Sequence, residues 1–207
     1  DMGVDLIYEQ MKPLGFWQFT GIDILGEAQG VLPSTEWKQR TYKRPEQKRW
    51  YSGETISLGI GQGYNNFTML QLAQAVGIIA SNGFRTKPHL VREVVDIETK
   101  EKQAVVKEPP QWLGYKPEDL EVIRKAMVGV NLEGTSAGSF VSAEYTSGGK
   151  TGTAQVFTIK QNEKYVAGKV DERLRDHALF IAFAPAEDPK IALAMVVENA
   201  GFGAQSA

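Results

Sequence analysis

Cysteine is absent from the 207 residues, which excludes a disulfide framework, a thiolate metal site and a cysteine nucleophile. Histidine is almost as scarce. His89 follows Pro88 and has no acidic or histidine partner at metal-ligand spacing, so no metal and no cofactor are expected. His177 stands beside Asp176, but neighbours on a strand point to opposite faces, so this pair is expected to cap a strand entry and not to exchange protons. No run of about 18 uncharged apolar residues occurs, and the first residues lack a basic segment leading into an apolar one, so nothing reads as a membrane span or signal peptide. An excess of one charge is also missing. The 25 acidic and 23 basic residues are interspersed and leave a net charge of −2, which offers neither a basic stripe for nucleic acid nor an acidic tail for a charged partner.

What is present is an ordinary globular composition, 42% apolar and 23% charged, on a chain long enough to bury a sizeable core, so one domain or most of one is expected. Val4, Leu6, Ile7 and Met11 are helix-like from the outset, with no polar lead-in. The chain is therefore expected to begin inside a domain and to be a fragment of it.

Val4 to Met11 fits a short amphipathic helix stopped by Pro13, and Gly15 to Ser34 has no steady period. Glu36 to Tyr51 reads as an exposed basic and polar excursion with a few aromatics tucked against the body. Ile56 to Tyr64 alternates apolar with small or polar residues, which predicts a strand entering a glycine loop. Its Gly59, Gly61 and Gly63 do not make a dinucleotide fingerprint, because the third glycine comes one residue early and no acidic residue follows at the required distance. Thr68 and Gln71 form a capping box for a helix whose stripe is Leu72, Val76, Ile79 and Ala80, ended by Asn82-Gly83. Leu90 to Ile97 and Gln103 to Val106 predict a hairpin or a pair of short strands at an edge. Pro117, with Glu118 and Asp119 behind it, opens a second helix bearing Leu120, Ile123, Met127 and Val130. After the small residues Gly134 to Ser139 come three strand candidates, Gly152 to Ile159, Ala178 to Ala184 and Ile191 to Glu198. The last two form a hairpin apolar enough to be covered on both faces. The fold class is α+β, an antiparallel central sheet with helices on its faces.

The stretch with chemical content is Thr146-Ser147-Gly148-Gly149-Lys150-Thr151-Gly152-Thr153-Ala154-Gln155. Glycines let a ligand lie against the strand, a lysine offers a point charge to a carboxylate, hydroxyls offer it hydrogen bonds, and a strand edge can pair with an extended peptide. That combination suits a peptide with a free C-terminus. A Lys-Thr-Gly tripeptide opening a strand, with two more strands behind it, is the context of the serine acyl-transferases marked by Ser-x-x-Lys, Ser-x-Asn and Lys-Thr-Gly boxes.

Three segments together resemble the class B penicillin-binding proteins, and most of all their penicillin-binding protein 2 branch, the transpeptidases of cell elongation. They are Ser57 to Tyr64 with its following helix, Gly148 to Phe157, and Arg175 to Pro185; the opening Asp1 to Asp5 resembles the residues just after the family's second box. The resemblance runs in order over essentially the whole chain and implies that residues 1–207 are the C-terminal portion of a single transpeptidase domain of the serine β-lactamase-like fold. The nucleophilic serine of Ser-x-x-Lys and the Ser-x-Asn box would precede Asp1, and no nucleophile is expected in this chain. The literal match Ser147-Gly148-Gly149-Lys150 is set aside because an activated serine needs its own base and a separate oxyanion site. Tyr64-Asn65-Asn66 only imitates a variant of the second box.

Carried over residue by residue, Lys150 resembles the lysine that supports the proton network and the substrate carboxylate, and Thr151 the hydroxyl that binds that carboxylate. Gly152 resembles the glycine beside which substrate passes, and Thr153 the position whose backbone N–H completes the oxyanion hole. The resemblance further implies a peptidoglycan D,D-transpeptidase that binds stem peptides ending in D-Ala-D-Ala and is acylated by β-lactams. It also implies a periplasmic domain on an inner-membrane anchor, assembled with the rod-complex glycosyltransferase and scaffold proteins. The chain alone is expected to be inactive. A β-lactam sensor or binding module and a D,D-carboxypeptidase are the alternatives.

Overall fold

The computed structural model describes residues 2–156 and 170–206. At its centre lies a three-stranded antiparallel sheet in the order β5 (Gly148–Ala154), β6 (His177–Ala184), β7 (Ile191–Val197). Residues 157–159 of the first predicted strand, and most of the polar loop after them, lie outside the described residues.

Two helices cover one face of this sheet, α5 (Met69–Ala80) and α6 (Pro117–Leu132). Val76 and Ala80 of α5, Met127 of α6 and Phe183 of β6 form one buried cluster. Ala75 belongs to a second, with Phe16 and Leu32 of the segment behind α1 (Val4–Met11). Helix α5 is thus gripped from two sides, which is why its sequence is apolar almost all round. The capping box forms as expected, Gln71 N–H donating to Thr68 Oγ1 at 3.1 Å and Thr68 N–H to Gln71 Oε1 at 3.0 Å. Gln71 is fully buried, and its Nε2 donates to the carbonyls of Gln18 and Gln29, tying the N-terminal segment to the helix. Asn82 and Gly83 end the helix with φ of 58° and 87°. In α6, Leu120 and Met127 are buried but Ile123 is exposed.

The edge hairpin is β2 (Glu93–Val95) with β3 (Lys102–Ala104), and a second small ladder joins β1 (Phe84–Arg85) to β4 (Gln111–Trp112). Asp23 fastens the hairpin's approach by accepting the N–H groups of Leu90 and Val91 at 2.7 and 2.8 Å. These two bonds hold its carboxyl below the usual aspartate range.

Three expectations are corrected. The predicted strand at 56–64 is instead helix α4 (Ser52–Gly59) followed by a glycine turn. Glu54 reaches back to accept the Tyr51 N–H at 2.9 Å, and of the alternating apolar residues only Leu58 is buried, while Ile56 and Ile60 are exposed. The strand predicted from Gly152 begins at Gly148, so the Lys-Thr-Gly residues lie within the sheet and not at its entrance. Nor is the β6–β7 hairpin covered on both faces: Ile191, Leu193 and Met195 are exposed on one side of β7 among the described residues.

The excursion at 36–51 holds a buried charge. It folds as α2 (Thr35–Thr41), N-capped by Ser34, and α3 (Pro45–Lys48). Lys38 of α2 is 2% exposed. Its ammonium lies 5.4, 5.3 and 5.4 Å from the ring centres of Trp50, Tyr51 and Tyr64, donates to the Arg49 carbonyl at 2.8 Å and pairs with Glu54. The Tyr64 hydroxyl donates to the same Glu54 at 2.9 Å. Burial alone would push the Glu54 carboxyl up, but the donors Lys38, Tyr51 N–H and Tyr64 outweigh it and hold the group below its ordinary range. Burial and the neighbouring Glu54 push the Tyr64 phenol well above its own.

Candidate active site

Strand β5 is an edge of the sheet, and its register with β6 pairs Lys150 with Ile181, Thr151 with Phe180, Gly152 with Leu179 and Thr153 with Ala178. Successive residues alternate faces. Lys150 and Gly152 therefore share the face of Ile181 and Leu179, whereas Gly149, Thr151 and Thr153 share that of Phe180 and Ala178. The lysine and the threonines approach the strand edge from opposite sides. Lys150 is exposed, and its ammonium donates to the Thr151 carbonyl at 2.7 Å, which brings the charge back to the strand. Among the described residues it meets no carboxylate.

The glycines before Lys150 are demanded by packing. A Cβ on Gly148 would lie 2.5 Å from the ring of Phe183, and one on Gly149 would lie 2.5 Å from the ring of Phe180 and 2.9 Å from Asn131 Oδ1. Phe183 is 1% exposed and has no room to yield. Strand β5 can therefore lie close under α6 only because these two side chains are missing.

Two further residues contact the threonines of this strand and were not singled out in the sequence. Thr135, in the loop between α6 and α7 (Ala137–Phe140), places its hydroxyl 2.9 Å from that of Thr151. The only local signal is a stretch of small residues. Gln62, in the turn after α4, donates from Nε2 to the Thr153 carbonyl at 3.4 Å. Thr153 Oγ1 in turn accepts the Gly203 N–H at 3.1 Å from α8 (Gly203–Ser206). In an antiparallel ladder the N–H and C=O of a residue leave the strand on one side. The Thr153 N–H accordingly emerges on the side where Gln62 meets the carbonyl.

Ser147, the serine of the literal Ser-x-x-Lys match, is 5% exposed and accepts Asn131 Nδ2 at 2.8 Å. Asn131 Oδ1 accepts the Ser136 hydroxyl at 2.6 Å. This buried network seats the start of β5 on α6 and places no base beside Ser147. His177 Nδ1 accepts the Asn199 N–H at 2.9 Å, and the Asp176 carbonyl accepts the Gly201 N–H at 2.8 Å, so the pair caps the sheet as expected. His89 Nδ1 lies 3.1 Å from the Val91 carbonyl, and the described residues contain no cluster of three His, Asp or Glu able to hold a metal.

An edge strand carrying an ammonium, a pair of hydroxyls and an outward backbone N–H, backed by a sheet packed on two helices, has the features expected of the Lys-Thr-Gly strand of the penicillin-binding transpeptidases. The sequence model of the penicillin-binding protein transpeptidase domain matches residues 1–207, and the chain belongs to that family. Its similarity runs to penicillin-binding protein 2. The chain is 41% identical over 208 residues to the peptidoglycan D,D-transpeptidase MrdA of Escherichia coli K12, covering 98% of this chain and 32% of that protein. The Pseudomonas aeruginosa penicillin-binding protein 2 in complex with WCK 5153 superposes with a TM-score of 0.75 at 36% identity, over 98% of this chain and 39% of that one. The Helicobacter pylori protein in complex with MreC does so with a TM-score of 0.79 at 28% identity, over 98% and 34% of the two chains. The chain thus spans about a third of its relative in Escherichia coli. The α+β fold class expected from the sequence is borne out by these relatives.

Proposed function

We propose that the chain supplies the Lys-Thr-Gly half of a peptidoglycan D,D-transpeptidase site, and that the nucleophilic serine and its base come from sequence outside these residues. In the complete protein that serine attacks the carbonyl of the penultimate D-Ala of a stem peptide. The terminal D-Ala leaves with a proton, and an amine of a neighbouring strand takes the acyl group and frees the serine. Lys150 and the Thr151 hydroxyl hold the terminal carboxylate, Gly152 lets the peptide lie against the strand, and the Thr153 N–H donates to the oxyanion of the tetrahedral intermediate. β-Lactams enter the same site as acylating mimics. The observation that carries this reading is the placement of these four residues on the open edge of β5, with Thr135 joined to Thr151. The relative in complex with MreC supports scaffold partners for the complete protein, and the family resemblance supports the glycosyltransferase partner and a periplasmic location on an inner-membrane anchor. No helix among the described residues is long and apolar enough to cross a membrane.

Intact mass after incubation with a fluorescent penicillin tests the proposal. The complete protein is expected to gain one adduct, and residues 1–207 alone none, since losing the nucleophile removes the covalent route. An adduct on the short chain would place the nucleophile among its own serines and overturn the division of roles.

The Thr135–Thr151 pair makes a separate prediction. One hydroxyl donates to the other and is ordered by it, so a substrate carboxylate meets an arranged pair in place of one free rotor. Thr135→Val is expected to weaken reversible binding of a penicillin before acylation by about tenfold, roughly 1.4 kcal/mol, the low end for a bond to a charged group at an exposed site. A penicillin methyl ester, lacking the charge, should show no such dependence. Equal losses for acid and ester would remove Thr135 from the carboxylate site.

A further inference from the structure

We infer that Gln62 is a positioning residue that fixes the oxyanion end of β5 through the Thr153 carbonyl; the inference rests on the reading of Thr153 given above. Its basis is the way the turn is built. Gly61 and Gly63 have φ of 78° and 72°, a conformation that L side chains rarely adopt, and they flank Gln62 on either side. The Gly61 N–H donates to the Leu58 carbonyl and the Gln62 N–H to the Ser57 carbonyl, both at 2.9 Å, so the turn is folded back onto the end of α4. Asn65 Nδ2 donates to the Leu58 carbonyl at 3.3 Å from the other side. A Cβ on Gly63 would come within 3.2 Å of Ser57 Cβ, so the turn closes tightly where it meets the helix.

The next residue, Tyr64, is locked into the Lys38 cage by its bond to Glu54 and by the rings of Trp37 at 5.2 Å and Trp50 at 6.0 Å. A turn fastened at both ends projects one side chain, and that side chain reaches 91 positions along the sequence to the Thr153 carbonyl. On the other flank the Gly203 N–H holds the Thr153 hydroxyl. Of the polar groups of Thr153, the carbonyl and the side chain are both restrained by segments outside the sheet. The N–H is the group left to be aimed. Fixing the carbonyl limits rotation of the residue and with it the direction of the N–H, and preorganised donors are effective because they need no reorientation as charge develops.

The test is single-turnover acylation of the complete protein by a fluorescent penicillin, with the acylation rate constant separated from the preceding binding constant. Gln62→Ala is expected to slow acylation roughly 10- to 100-fold, less than or comparable to losing a donor outright, with reversible binding and the melting midpoint unchanged. Gln62→Glu keeps the shape of the side chain but sets an acceptor against the carbonyl. It should be as slow as Gln62→Ala at neutral pH and recover relative to the unsubstituted protein as pH falls through about 4 to 5, where a protonated carboxyl can donate. A residue that only supports the fold would give no such pH-dependent recovery. Normal acylation by Gln62→Ala, or a loss that only tracks a lowered melting midpoint, overturns this inference and leaves the site as described. Failure of the unsubstituted protein to be acylated overturns the reading of the site and this inference with it.

Discussion

Lys150→Ala in the complete protein is expected to slow acylation by penicillin about 10²- to 10⁴-fold, the range that a positioned proton-transfer group contributes, while leaving the melting midpoint almost unchanged. The separation of the two effects comes from where the lysine stands. It is exposed, and its described bond is to the carbonyl of the next residue, so removing it creates neither a cavity nor a buried unpaired group. On the proposed reading its cost falls on the reaction, where the ammonium beside the strand edge would stabilise the carboxylate and the proton network of the attacking serine. Lys150→Arg should restore little: a planar guanidinium presents a rigid fork where a compact, rotatable charge is required, and its high pKa bars it from giving up a proton. Rates for the two variants, with reversible binding measured separately, check this. Wild-type rates in either variant would mean that the charge at position 150 takes no part in the chemistry.

The parts of the molecule legible in the sequence are those fixed by local rules. Helix α5 announces itself through Thr68, Gln71 and Asn82-Gly83 because a capping box and a left-handed stop are satisfied within a few residues of one another. The Lys-Thr-Gly residues stand out as a candidate site because groups suited to a carboxylate occupy consecutive positions. The features that escape a sequence reading depend on distant partners. The alternation of Ile56, Leu58 and Ile60 has the period of a strand, yet Glu54 starts a helix there and is itself held by Lys38, 16 residues earlier. Thr135 joins Thr151 across a loop of small residues that carries no pattern of its own, and Gln62 finds Thr153 from the far side of the chain. Gln71 illustrates both cases at once: its capping role is local, but its complete burial is explained only by the carbonyls of Gln18 and Gln29.

Lys38→Met is expected to destabilise the domain by about 3 kcal/mol at neutral pH, the low end for breaking a buried pair by removing one partner, because the Glu54 side chain keeps 22% of its exposure whereas that of Lys38 keeps 3%. The dependence on pH distinguishes this from a simple packing loss. In the native protein the Glu54 carboxyl lies below its ordinary range, so its contribution is present above the unfolded pKa and fades as pH falls through the lower folded value. Without Lys38 the burial that pushes this carboxyl up is opposed only by the Tyr51 N–H and Tyr64. The folded variant then takes up a proton more readily than the native protein does, and its stability relative to the native protein recovers as pH falls toward about 4. Adding Glu54→Gln should return a large part of the loss at neutral pH, since a neutral amide beside methionine leaves no charge to desolvate. Melting midpoints of the single and double variants at pH 7 and near pH 4.5 decide the matter. A Lys38→Met deficit that is the same at both pH values, and unrelieved by the second substitution, would mean that the lysine stem packs against Trp50, Tyr51 and Tyr64 as a hydrophobe and that its charge adds nothing.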